Sequence, residues 1–288
     1  MRRSEAATVP FWLWPTILSL DAPTIAIVWL ALFAAVFRVD PGWPVLTALG
    51  LWVWLIYVAD RTLDSLSEPP PSDEVPRHRF YRHHRRSVLI CAFAVAAIAA
   101  IISFGWIQPG IRRDGMGLAI LVGTYFAVTH LARPKGDRFW PKELLVAVLF
   151  AAGVCLPVWS LLGPQRLSLI VSFIFLVAVF WINTLAIECW ESAPDRASRK
   201  HLRSGISRGL ALRLAPAGVG VTILAILAGV LGKFGALPGA AQIYFAIVFS
   251  ALFLTILEMS ARRLSGPARR VLADGALLTP VLFLWFAR

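Results

Sequence analysis

The segment Tyr57-Val58-Ala59-Asp60-Arg61-Thr62-Leu63-Asp64 carries two aspartates four positions apart. On an α-helix this spacing sets them about 40° apart around the axis and about one turn apart along it, so both carboxylates address one point. Like charges so placed repel unless a cation lies between them. A hard divalent ion such as Mg2+, which takes one or two carboxylates together with phosphate oxygens and water, meets that need. The competing reading is a pair of helix-end carboxylates neutralised by Arg61 and the basic residues that follow.

A second polar group stands in Asn183-Thr184-Leu185-Ala186-Ile187-Glu188-Cys189-Trp190-Glu191. At about 100° per residue, Asn183, Thr184, Glu188 and Glu191 share one helical face. Asp60, Asp64, Asn183, Glu188 and Glu191 are therefore the candidate metal ligands. Pairing of Glu188 or Glu191 with Arg196 or Arg203 is the alternative. Arg61, Arg79, Arg138 and Lys142 are candidates for contact with a diphosphate, Lys142 as a point charge or as a snorkelling anchor. The basic run from Arg77 to Arg86 also suits a solvated face touching anionic lipid headgroups.

Twelve tryptophans are first explained as an interfacial belt. A subset of aromatics near the acidic segments, Trp54, Tyr57, Tyr125 and Trp181, can instead line a pocket and stabilise a carbocation with their ring faces. His130 is the one histidine near membrane depth, which argues against a bis-histidine haem site. Cys91, Cys155 and Cys189 sit in apolar runs without a pairing pattern and read as packing residues.

The elements that must position these residues follow from composition. With 58% hydrophobic against 15% charged residues and a mean hydropathy of +0.73, the chain carries more apolar surface than a soluble core hides. At about 20 apolar residues per crossing, spans read approximately 20–38, 44–66, 87–106, 115–132, 142–162, 167–190, 208–232, 239–261 and 269–287. The expected fold class is all-α, a single polytopic membrane domain over 1–288 with about nine transmembrane helices. Nine crossings with the N-terminus inside place 20 of the 28 Lys and Arg in cytoplasmic segments and six outside, the asymmetry that orients membrane helices. The net charge of +12 serves that orientation, and no nucleic-acid partner is expected.

Met1-Arg2-Arg3 and the aromatic stretch interrupted by Pro15 read as an interfacial lead-in. Asp21 is expected to cap the first span and Pro23 to fit its first turn. Glu258 and Asp274 are expected as interhelical partners of Arg262, Arg263, Arg269 and Arg270.

With Asp60-x3-Asp64 ending the second span, a polar cluster ending the sixth and nine crossings, the chain resembles the UbiA-type intramembrane prenyltransferase superfamily. The resemblance implies a UbiA-like bundle in which Mg2+ ions on helices two and six hold the diphosphate of a prenyl donor. Asp60-Arg61-x2-Asp64 is similar to the end of the family's first motif, with Ile56 where asparagine is usual. In the second motif Asn183, Glu188 and Glu191 stand where aspartates are expected, and Thr129 replaces the lysine of the family's Tyr-x3-Lys feature after Tyr125. Asn183 and Glu191 are also similar to two of three positions in the Asn-Ser-Glu metal triad of soluble class I terpene synthases, with Ile187 in place of the serine. The activity implied is Mg2+-dependent ionisation of an isoprenyl diphosphate and transfer of the prenyl group to a small or lipophilic acceptor. The alternatives are a membrane terpene cyclase and a non-catalytic lipid-binding protein. Inner-membrane location, lipid contact and a cytoplasmic N-terminus complete the expectation.

Overall fold

A computed structural model describes residues 10–67, 76–131, 142–162, 166–192, 209–233 and 241–286, and every regular element among them is helical. In lipid the backbone must satisfy its own hydrogen bonds, and apolar runs of this length do so as helices. The helices are α1 (Trp14–Ile17), α2 (Asp21–Phe37), α3 (Gly42–Ser67), α4 (Pro76–His83), α5 (Arg85–Gly105), α6 (Pro109–Phe126), α7 (Lys142–Leu161), α8 (Arg166–Ser192), α9 (Leu214–Lys233), α10 (Ala241–Ser260), α11 (Gly266–Ala276) and α12 (Pro280–Leu284).

Helix α2 lies at the centre. Trp29, Leu30, Leu32 and Phe33 have no exposed surface, and α2 packs against α3, α7, α11 and α12. Around it α7 packs along α8, α9 along α10 and α5 along α3. Helix α5 is peripheral, with Ile90, Phe93, Ile101 and Phe104 turned outward. Apolar side chains on an outer face are stable where the surrounding solvent is lipid.

Among the described residues six helices are long and apolar enough to cross a membrane: Gly42–Leu63, Arg85–Gly105, Lys142–Leu161, Ser168–Glu191, Leu214–Leu231 and Ala241–Ser260. A seventh is added if the pair Phe11–Ile17 and Asp21–Phe37, bent by 76°, is one span. The remaining two of the nine expected crossings differ in make-up. Helix α6 opens with Arg112-Arg113-Asp114, which shortens its apolar part. The segment expected over 269–287 is divided into α11 and α12. Pro280 at the first turn of α12 has no N–H to continue the ladder, and the carbonyl of Leu277 instead accepts a hydrogen bond from Trp29 Nε1 at 2.9 Å. Thr279 donates to the Ala246 carbonyl at 2.9 Å, and its hydroxyl lies 2.7 Å from Ser250 Oγ. The break is thus buried and its polar atoms are engaged by α2 and α10.

The bend between α1 and α2 is held in a similar way. Ser19 takes a left-handed conformation, φ 58°, uncommon for a residue with a Cβ. Its buried hydroxyl lies 2.7 Å from the Tyr81 hydroxyl on α4, and Trp54 of α3 donates its indole N–H to the Leu18 carbonyl at 2.9 Å. Phe80 of α4 meets Trp14 edge-on at 6.2 Å. Helix α4 therefore fits against the lead-in; the polar 67–86 segment gave no sign of it because its two anchoring aromatics sit among arginines and histidines.

Candidate functional site

The C-terminal end of α3 divides its polar residues between two neighbours. Asp60 points toward α6, where a five-residue π-turn, Ala127–Leu131, follows the helix. There His130 Nε2 lies 3.5 Å from Asp60 Oδ1; the imidazole side chain is 8% exposed and the carboxylate 36%. Phe126 stacks on the His130 ring at 5.6 Å with an interplanar angle of 18°. The same short stretch carries the buried phenol of Tyr125 and the Thr129 hydroxyl. A π-turn adds a residue to the helical ring and swings the side chains after it to a new face; such turns recur at functional sites.

Arg61 turns the other way. It is buried, 6% exposed, and donates from Nη1 to the Thr16 carbonyl. Asp21, Arg61, Arg270 and Asp274 all act electrostatically on the Tyr57 hydroxyl, which places a mixed-charge cluster between α2, α3 and α11. Asp21 starts α2 as its first helical residue behind the N-cap Leu20. Its carboxylate accepts the Ala22 N–H at 2.9 Å, so it satisfies one free donor of the first turn as expected and in addition lies within electrostatic reach of Asp274 on α11. That second contact joins residues distant in sequence and had no local signal.

At the end of α8, Glu191 accepts a hydrogen bond from Arg270 Nη1 at 2.9 Å. Its partner is on α11, whereas Arg196 and Arg203, the partners offered by sequence proximity, lie outside the described residues. Asn183 is buried, and its Oδ1 has no hydrogen bond in the structure; the same holds for Trp181 Nε1. Thr184 bonds to the Phe180 carbonyl at 3.0 Å and reaches the Glu143 carbonyl of α7 at 3.4 Å. Glu188 is half-buried one turn before the end of α8. Glu258 accepts the Trp190 indole N–H at 2.8 Å across α10 and α8.

Beneath these tips runs a ladder of rings. Tyr57 meets Phe150 of α7 at 6.4 Å, Phe150 meets Phe180 of α8 at 4.9 Å, and Phe180 meets Trp29 of α2 at 6.0 Å. Of the four expected pocket aromatics, Tyr57 joins this ladder, Tyr125 lies beside the π-turn, Trp181 is on α8 and Trp54 serves the α1–α2 bend.

Lys142 begins α7 and is half-buried. Arg138 lies outside the described residues; the backbones of Asp64 and Arg79 are helical, and their side chains lie outside the described ones. Among the described residues no three or more His, Cys, Asp or Glu side chains gather to hold a metal ion. The donors that do converge are Asp60 and His130. Sequence reading placed His130 at the right depth but gave it no part in the site, because only the π-turn brings it to α3.

Comparison with protein-family models, with curated proteins and with solved structures finds no match for this chain.

Proposed function

We propose that the chain is a divalent-metal-dependent prenyltransferase, with its α3 and α8 tips at the cytoplasmic face of the inner membrane and about nine crossings once α2, α6 and the α11–α12 pair are counted. The observation that carries this reading is the pair of buried polar atoms without hydrogen bonds on α8, Asn183 Oδ1 and Trp181 Nε1. Each such atom costs about 1–3 kcal/mol unless a bound group meets it, and their place on the helix that also carries Phe180 of the aromatic ladder suits a polar-headed, apolar-tailed ligand. An isoprenyl diphosphate has that form.

In this reading Asp60 and Asp64 bind the ion that accompanies the diphosphate, with Asn183, Glu188 and Glu191 as the second set. Mg2+ fits a site of one or two carboxylates completed by phosphate oxygens; when bound it neutralises the charge of the leaving diphosphate. Lys142, Arg79 and Arg138 add cationic contact, while Arg61 secures the α1–α2 bend that closes the site from one side. The rings of Tyr57, Phe150 and Phe180 exclude water and offer their faces to an allylic cation. The acceptor is a small or lipophilic nucleophile.

The test is a mass-spectrometric screen of prenyl diphosphates with a cell lipid extract, with and without Mg2+. The expected result is metal-dependent consumption of a prenyl diphosphate and formation of a prenylated product, both lost in Asp60→Ala. Full activity in Asp60→Ala refutes the assignment. Omitting the acceptor separates transfer from cyclisation, since only a cyclase then yields a hydrocarbon or alcohol.

A further inference from the structure

A cationic cleft of about 390 Å3 opens where α4 meets α5, lined by Arg82, His83, His84, Arg85, Arg86 and Ser87. Arg82 is half-buried and the other five side chains are exposed. Among the described residues Arg85 and Arg86 make no ion pair, and the sequence supplies no local counter-charge, since no Asp or Glu stands between Glu74 and Asp114. Like charges gathered in this way repel one another unless an anion joins them. The cleft is backed by aromatic contacts: His84 stacks on Phe80 at 4.7 Å, and Phe80 meets Trp14 of the lead-in edge-on at 6.2 Å. The same lead-in exposes Phe11 and Trp12, and such aromatics settle at the headgroup depth of a bilayer.

Past the cleft α5 continues as apolar surface, with Leu89, Ile90, Phe93, Ile101 and Phe104 exposed. Its 21 residues make it about 30 Å long, the thickness of a hydrocarbon core. The arginines at its start therefore come to the level of lipid phosphates. We propose that this cleft holds the headgroup of one anionic diacyl phospholipid, with Arg82, Arg85 and Arg86 around its phosphate and its acyl chains along the outward side of α5. Guanidinium forks match phosphate oxygens in pairs, and a basic cluster beside a membrane helix attracts anionic lipid. A zwitterionic lipid carries its own cation and gains less from the site. The lipid binds here whatever the reaction at the α3 and α8 tips.

The test is native mass spectrometry of the full chain purified in detergent, with dioleoyl phosphatidylglycerol, dioleoyl phosphatidylcholine and inorganic phosphate as probes. Phosphatidylglycerol is expected to bind at least about tenfold more tightly than phosphatidylcholine, and millimolar inorganic phosphate does not displace it. The double variant Arg85→Gln, Arg86→Gln lowers phosphatidylglycerol affinity more than about tenfold and leaves phosphatidylcholine within about twofold. Arg112→Gln, Arg113→Gln removes the same charge beyond the other end of α5, several screening lengths away, and leaves phosphatidylglycerol within about twofold. Arg85 and Arg86 are exposed, so the lipid-free melting temperature of their double variant is expected to match wild type; the two single variants, each with a smaller loss, replace it if it melts lower. Equal binding of the two lipids, displacement by inorganic phosphate, unchanged affinity in the Arg85 and Arg86 variants or an equal loss in the Arg112, Arg113 variant each overturns the proposal.

Discussion

The two ends of the helical bundle draw the partners of their polar residues from different distances along the chain. At the end that holds the start of α6 and the close of α7, Asp114 accepts a hydrogen bond from Ser160 at 2.8 Å and contacts the adjacent Arg113 at 3.2 Å. Arg112 bonds to the Phe104 carbonyl at 3.0 Å and lies over the Phe104 ring, and Arg166 lies over Trp159 at 4.7 Å. Most of these partners are near in sequence, and both side chains of the Arg113–Asp114 pair are in part exposed. At the α3 end the contacts join distant segments, His130 with Asp60 and Arg270 with Glu191, and Asn183 and Trp181 keep buried atoms without hydrogen bonds. The two ends therefore differ in how far along the chain their polar residues find partners, and buried atoms without hydrogen bonds also occur elsewhere, as at the Tyr244 hydroxyl.

The sharpest way to break this contrast is to neutralise one carboxylate at each end. On the proposed prenyltransferase reading, Asp60→Ala is expected to lower turnover at least about 100-fold while detergent behaviour is unchanged, because it would remove charge stabilisation of the leaving group. Asp114→Ala is expected to leave turnover within about twofold, since Asp114 lies at the opposite end. Equal losses in the two variants, measured in the same assay, would remove the distinction between the ends.

Next in size is the Arg270–Glu191 pair, whose side chains are 17% and 30% exposed. Arg270→Ala removes the guanidinium that faces both Glu191 and Asp274. The expected cost is about 2 kcal/mol, below the range for full burial because water reaches both groups. Arg113→Ala at the other end is expected to cost less than about 0.5 kcal/mol, as exposed pairs do. Chemical denaturation of both variants in the same detergent compares them directly.

Tyr81→Phe removes the partner of the buried Ser19 hydroxyl at the α1–α2 bend. A loss of about 1 kcal/mol is expected, and a Ser19→Ala, Tyr81→Phe double variant should recover part of it because neither group is then left unsatisfied. A double variant as unstable as the sum of the singles would assign the bend to packing alone.

The smallest effect is a pH dependence. The hydrogen bond from Ser160, with Arg113 adding to it, holds the Asp114 carboxyl below the usual carboxylate range. A depressed folded value means the contribution is present above the unfolded pKa of about 3.9 and is lost as pH falls through the folded one. The melting temperature of wild type should exceed that of Ser160→Ala at pH 5, with the gap closing on acidification below about pH 4. A gap independent of pH would mean that Ser160 acts through its bond to the Leu156 carbonyl instead.

The sequence by itself determined the helices and where most of them run. Expected spans at 44–66, 87–106, 142–162, 167–190 and 239–261 fall within a few residues of α3, α5, α7, α8 and α10, because an apolar run of fixed length in lipid has one backbone solution. The same regularity marked Asp60 and Asn183 as polar residues at helix tips. Tertiary structure alone decided the partners: the π-turn that carries His130 to Asp60, the turn of Arg61 toward Thr16, the union of Glu191 with Arg270 and the division of the segment expected as the last span at Leu277–Thr279. Each depends on which helix packs beside which. Hydropathy is a property of one helix and its solvent, whereas the direction in which a buried polar side chain finds its partner is set by neighbours that lie tens or hundreds of residues away.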